Sequence, residues 1–259
     1  MRILVILRMV PDVVEELEIA PDGKSLDAEA TRMILSESDD HALEQALLLK
    51  ERRGGEVIVL APDMPDIDDA LYGAFAKGVG QVIKIGSPAE GWSAREAAAA
   101  VGEVLDARKD LLPVHLILTG VQAVSDLDGL VAPLLAEQLH WPFVGIVTTV
   151  DVDAGATRAV VVKELPGAMR AEYEVDLPAV LGIQAAEKPP RYVPVAKVRA
   201  AMKTQKFDAA GEPVLPAIPR LEVVSLKKPE LAGHAEMLEG DPDTVAAKLC
   251  DVLTARGLL

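Results

Sequence analysis

Over the first 142 residues, short apolar runs alternate with stretches of helical periodicity, and few architectures accept that alternation. Residues 3–7, 57–61, 82–85 and 116–118 are runs of the length and composition of buried strands. Between them, Ala42, Leu43, Ala46, Leu47 and Leu49 recur at helical spacing after Ser38-Asp39 and stop at Gly54-Gly55. The same reasoning predicts helices over 67–77, ended by Gly78, and over 93–107. Strand, helix, strand, helix at this spacing implies a parallel sheet with right-handed crossovers. Pro11 is expected to end the first strand, with a hairpin or surface excursion around Asp22-Gly23 before the first helix.

The most suggestive stretch is 114–142, where an apolar run ends at Thr119-Gly120 and a polar turn follows. Ser125-Asp126 is expected to cap a helix whose buried face carries Leu127, Leu130, Val131, Leu134, Leu135 and Leu139. In open α/β sheets, ligands settle outside the carboxyl ends of strands, and a helix N-terminus there offers free N–H groups to a phosphate. Asp126 and Asp128 set negative charge where such a ligand wants donors.

After Pro142 the texture becomes β-rich. Runs 143–152, 159–164, 171–175 and 179–184 are separated by Gly155 and by Pro166-Gly167, and are expected to add antiparallel strands to one side of the sheet. Beyond Glu187, prolines at 189, 190, 194, 213, 216, 219 and 229 favour an extended arm over a packed domain. A helix is expected over 241–256, with Pro242 in its first turn and an apolar stripe of Val245, Leu249, Val252 and Leu253. An arm ending in such a helix suits gripping another chain.

Composition narrows the function. Half the residues are hydrophobic but only 3% aromatic, so the core is built of Ala, Val and Leu, as in sheets covered on both faces. With 41 acidic against 26 basic residues the net charge is −15, which argues against nucleic acid and against anionic membranes as partners. No apolar run reaches membrane length, and the N-terminus reads as a first strand and not a signal peptide, so a cytoplasmic location without membrane insertion is expected. The lone Cys250 forbids an internal disulfide and is expected to be a packed thiol. His41, His115, His140 and His234 are scattered without metal-ligand spacing, and His115 is expected to be a half-buried structural residue. GxxxxGK[ST], GxGxxG and GxSxG are all absent, so an ordinary ATPase, nicotinamide dehydrogenase or serine hydrolase loses ground. Residue chemistry alone stops at a nucleotide-sized ligand or a protein partner, with no catalytic constellation.

Several segments go further when taken together. In order, MRILVILRMVPD, HALEQALLLKERRGGEVIVLA, LTGVQAV, KELPGAMRAEYEVDLPAVLGI, PRYVPVAKVRAAMK and EGDPDTVAAKLCDVLTARGLL resemble the β subunit of electron transfer flavoproteins. Most specific are Leu177-Pro178-Ala179-Val180 following Lys163-Glu164 and Gly167, and Pro190-Arg191-Tyr192. The resemblance implies a parallel doubly wound α/β sheet of adenine-nucleotide α-hydrolase-like type over 1–187, with 188–259 as a C-terminal arm and helix for a partner subunit. It implies an electron carrier, not a bond-making enzyme. Paired with an α subunit, the chain would hold FAD, kept mainly by the α subunit, and pass electrons from a dehydrogenase to a quinone-linked acceptor. Many members also carry AMP, and electron-bifurcating members a second FAD, in this subunit. The implied cofactor-binding set is Ile6, Ser36, Asp39, Ala61, Gly120, Asp126, Asp128, Gly129, Leu130, Val131 and Ala132.

Three departures stand out. Where the family reads D-G-D-T-G-Q-V-G-P-Q, this chain has SDLDGLVAPL over 125–134, so that only Gly129, Val131 and Pro133 match and the hydroxyl and amide donors are gone. An N-P-F segment is replaced by Ser36-Glu37-Ser38. An altered or empty AMP site is therefore expected. At the loop position where the family carries an apolar anchor for acyl-CoA dehydrogenases stands Glu187, so that loop is a candidate contact for a different dehydrogenase. The alternative reading is a stand-alone adenine-nucleotide-binding module resembling universal stress proteins.

Overall fold

In the computed structural model, which describes all residues except 65, 89–91, 127, 219–221, 230–232, 234 and 236, strand β1 (Arg2–Ile6) runs through the interior of a nine-stranded sheet. Ile3, Val5 and Leu7 face one side, where they meet helices α1 (Glu37–Arg53) and α2 (Ile67–Lys77). Leu4 and Ile6 face the other, against α3 (Ala94–Ala107) and α4 (Val131–Leu139). Alternate side chains of a strand point to opposite faces, so a strand covered on both sides reads as one unbroken apolar run.

Before α1, the short strands β2 (Met9–Pro11) and β3 (Met33–Leu35) pair antiparallel as a separate ribbon, so Pro11 lies inside a strand beyond the end of β1. The excursion turns at Asp22, whose carboxylate accepts the Lys24 and Ser25 amides. The other strands are β4 (Glu56–Asp63), β5 (Gln81–Gly86), β6 (Leu116–Gly120), β7 (Phe143–Val152), β8 (Arg158–Leu165), β9 (Met169–Asp176), β10 (Ala179–Ile183) and β11 (Asp208–Ala209). Their order is β11-β5-β4-β1-β6-β10-β7-β8-β9. The expected α/β class is present, and β8 and β9 form the antiparallel extension on one side. β10 departs from that expectation: it returns from the extension and inserts parallel between β6 and β7. All five of its residues, Ala179–Ile183, are buried, so an interior slot suits it better than an edge.

The helices begin and end for local reasons. Ser93 accepts from the Glu96 amide while Glu96 accepts from the Ser93 amide, a capping box that starts α3. Gly78 closes α2 in the left-handed region. The helix expected from Ser125-Asp126 begins five residues later at Val131, with Leu130 as its N-cap and Pro133 in its first turn. Asp126 does not cap α4: its carboxylate accepts the Gly129 amide in the turn before the helix and a bond from Arg8, and Leu127 lies outside the described residues.

The described contacts divide the chain into units 1–224 and 225–259. Within the first, residues 188–211 are fastened to the α/β body. Arg191 forks onto Glu44 of α1, helix α5 (Val195–Thr204) packs on α2, and Phe207 lies against Tyr72 and Phe75 with ring centroids 4.6 and 6.1 Å away. β11 then pairs parallel with the edge of β5. Pro219 falls outside the described residues. In the second unit, α6 (Pro242–Ala255) is capped by Asp241 and has no buried residue. Cys250 is exposed there, contrary to the packed thiol expected, on a helix with no buried residue. Among the described residues no helix is long and apolar enough to cross a membrane.

Candidate functional site at the strand ends

The strand order turns on one point. From β1 the chain moves outward through β4 to β5, with α1 and α2 on one face, then crosses to β6 on the other side of β1, with α3 and α4 on the opposite face. In a doubly wound sheet the crevice at such a reversal, outside the carboxyl ends of the two strands, is where ligands bind. Here those ends are Ile6 of β1 and Gly120 of β6.

Arg8, two residues past β1, occupies this position. Its Nε and Nη2 donate to the two oxygens of Asp39 at 3.0 and 2.9 Å, its backbone N–H donates to the same carboxylate at 3.0 Å, and its Nη1 donates to Asp126 at 3.1 Å. Asp39 is fully buried, and the Arg8 and Asp126 side chains are 12% and 13% exposed. Each acid also accepts from the backbone: Asp39 from Gly120 N–H at 2.8 Å, Asp126 from Gly129 N–H at 3.1 Å. Burial would lower the Arg8 pKa, but the facing carboxylates of Asp39 and Asp126 outweigh it and hold the guanidinium above its ordinary value. Residues from β1, α1 and the loop after β6 are thus tied into one ionic cluster.

Gly120 makes the arrangement possible. A Cβ there would lie 2.2 Å from Ser38 Oγ and 2.7 Å from the Asp39 backbone nitrogen, so the start of α1 can approach the strand only over a glycine. Ser38 donates to the Gln122 carbonyl at 2.5 Å, and the buried Ser36 lies 3.2 Å from Ser38, hydroxyl to hydroxyl. Gly120→Ala is expected to lower stability by about 2–4 kcal/mol, since backbone must shift and the cluster with it; a urea unfolding midpoint within error of the parent's would refute this close approach.

Of the expected cofactor-binding residues, the structure brings Ser36, Asp39, Gly120, Asp126 and Gly129 together around Arg8. The side chains of Ile6, Ala61, Val131 and Ala132 are core residues, leaving only their backbone near the strand ends. Asp128 is exposed and Leu130 half-buried. Arg8 itself escapes sequence reasoning, although one signal points to it: a cation directly after the apolar run 3–7.

An adenine nucleotide fits this cluster poorly. One guanidinium already faces two carboxylates, its side-on edge is taken by Asp39, and the nearby Gly120 and Gly129 amides donate to those same acids. A phosphate would enter a site with net negative charge.

His115 and His41 are tied to the backbone. His115 Nδ1 accepts the Arg2 amide at 3.1 Å, and burial and the nearby N-terminus push its pKa down. His41 Nδ1 accepts the Ala186 amide, His140 is exposed, and His234 lies outside the described residues. Among the described residues no group of acids, histidines and cysteine is placed to hold a metal.

The Glu187 loop is pinned to α1. Glu187 accepts from Arg52 at 2.8 and 3.2 Å and from Gln45 at 2.9 Å, while its own N–H donates to Gln45 at 3.1 Å. Burial would raise its pKa, but the bonds from Gln45 and Arg52 outweigh that and hold the carboxyl below its ordinary 4.5. The pin is therefore intact above about pH 4.5 and is released as pH falls through the depressed value. Glu187→Leu is expected to cost about 1 kcal/mol and to speed amide exchange over 184–191; unchanged exchange there would show that the carboxylate does not hold the loop.

An open, mostly parallel sheet whose strand order reverses at β1 and β6, with helices on both faces, is a doubly wound α/β protein. The family model for the electron transfer flavoprotein domain matches residues 25–211, and the chain belongs to that family. It is 28% identical to "Electron transfer flavoprotein subunit beta" of Methylophilus methylotrophus, over 98% of this chain and 98% of the relative. A protein of the same name from Syntrophomonas wolfei is 29% identical over 97% of this chain and 95% of its own. "Caffeyl-CoA reductase-Etf complex subunit CarD" of Acetobacterium woodii is 30% identical over 76% of this chain and 74% of its own.

Proposed function

We propose that this chain is the β-type subunit of a two-chain electron carrier. It pairs with an α-type subunit, the pair holds FAD, and the assembly moves electrons from a dehydrogenase to a downstream quinone-linked acceptor without making or breaking substrate bonds. The observation that carries the reading is similarity from end to end, with 98% coverage on both sides, to a protein named as an electron transfer flavoprotein β subunit. One feature of this chain supports a companion. Helix α6 exposes Leu249 and Val252, an apolar stripe suited to a partner.

Bound flavin supplies the redox chemistry, and the protein's part is to orient it and exclude competing reactions. We assign most of its binding to the α-type subunit. The dehydrogenase contact is proposed at the loop around Glu187, with Lys188 and the backbone presented in place of the carboxylate that Arg52 holds. The reading is tested on native material: a tagged chain is expected to co-purify with one companion subunit and about one FAD per pair, reducible by a dehydrogenase. A stable, colourless, unaccompanied monomer would overturn it. The stand-alone nucleotide-binding alternative is disfavoured by the acids around Arg8.

A further inference from the structure

We infer that this chain carries its own substitute for a bound phosphate: the Asp126 carboxylate occupies the anion position on Arg8, closing the strand-end niche to nucleotides. The inference rests on the ion cluster and is independent of which companion or flavin the chain carries.

The niche has the makings of an anion site. It lies at the reversal point of the sheet, contains a cation with little exposure, and is bordered by backbone amides at Gly120 and Gly129. Every one of those features is answered from within. Asp39, rooted in α1, takes the guanidinium edge and the Gly120 amide. Asp126, on the loop after β6, takes Nη1 with one oxygen and the Gly129 amide with the other. A carboxylate that receives one charge-assisted bond from Arg and one from a backbone amide makes the bonds a phosphate oxygen pair would make. Gly129 adopts φ +61, the left-handed turn that brings its N–H back onto Asp126.

The two acids differ in mobility. Asp39 is fully buried in a helix and cannot leave without stranding Arg8 and Gly120. Asp126 sits on a loop at the rim and holds Arg8 through Nη1 alone, so it is the group a phosphate would have to displace. Doing so would set that phosphate against Asp39 and the freed Asp126 together, which keeps the niche closed.

The test compares the full-length parent with Asp126→Ala and Asp126→Asn, each purified with whatever companion it carries, in phosphate-free buffer. Acid extraction of the parent is expected to release no AMP, and titration with inorganic phosphate or AMP should give no saturable heat. Asp126→Ala should bind inorganic phosphate at least about tenfold more tightly than the parent, and phosphate should raise its melting temperature where chloride of equal ionic strength does not. Asp126→Asn keeps the side-chain shape, removes the charge, and should shift in the same direction by less. Glu172→Gln, altering an exposed acid of β9 at the far edge of the sheet, should behave as the parent. Stoichiometric AMP in the parent, or variants with no gain in phosphate response, would overturn the inference.

Discussion

Replacing Asp39 by alanine is expected to lower the unfolding midpoint by roughly 10 °C, the effect of losing about 3–5 kcal/mol in a chain of this size. The residue is fully buried and accepts three bonds from Arg8 and one from Gly120. Its removal leaves a guanidinium that is only 12% exposed paired with Asp126 through Nη1 alone, and leaves the Gly120 amide without its acceptor. An unpaired buried charge is far more costly than a missing surface pair. Asp128→Ala, made in parallel, should stay within about 0.5 kcal/mol of the parent because that side chain is exposed. Thermal unfolding followed by circular dichroism decides the matter, and an Asp39→Ala midpoint within 2–3 °C of the parent's, about 1 kcal/mol, would mean the cluster does not hold the strand ends together.

Arg191→Ala should be nearly as damaging and should act in a different place. Arg191 donates to both Glu44 oxygens from its side chain, adds its backbone N–H to Glu44, and reaches Glu51 through Nη1 at 2.6 Å. Glu44 is 3% exposed, so truncation strands its carboxylate in the interior, at a cost of about 3 kcal/mol. The hydrogen bonds to Glu44 and Glu51 hold the Arg191 guanidinium above its ordinary pKa, so it stays charged at any ordinary pH. Because this fork fastens the start of the segment leading to α5 and β11, amides over 188–211 should exchange faster in the variant while those of β1 and β6 do not. Arg191→Lys should recover only part, since an ammonium cannot span Glu44 side-on and reach Glu51. Equal acceleration throughout the sheet would show a global loss of stability in place of a released segment.

How much of this could be read in advance depends on how local the cause is. Helix α2 falls on the 67–77 predicted from its periodicity and Gly78, and the start of α3 is written in Ser93 and Glu96, because each cause lies within four residues of its effect. The beginning of α4 is misread for the opposite reason. Ser125-Asp126 has the local form of a cap, yet Asp126 is claimed by Arg8, 118 positions away. The same distance hides Arg8, whose partners come from a helix and a loop far along the chain. β10 reads as one more strand of an antiparallel group, since nothing in its five apolar residues records that its neighbours are β6 and β7. The prolines after 187 announce extended chain, but Arg191 and Phe207, which fasten it, are single residues without periodicity. Exposure of Cys250 is a property of what covers α6, and a helical stripe alone does not record that.

The late insertion of β10 has a consequence for making the protein. A ribosome that has delivered residues through 178 has produced β6 and β7, yet neither has the neighbour that separates them in the finished sheet. Leu116–Gly120 carries no charge to deter a stray strand, so the half-made chain bears an open, sticky seam that other nascent chains can enter. Five residues, Ala179–Ile183, close it like the last slat in a fence. Fragments cut anywhere between β7 and β10 should accordingly precipitate, and a workable gene split lies beyond residue 183.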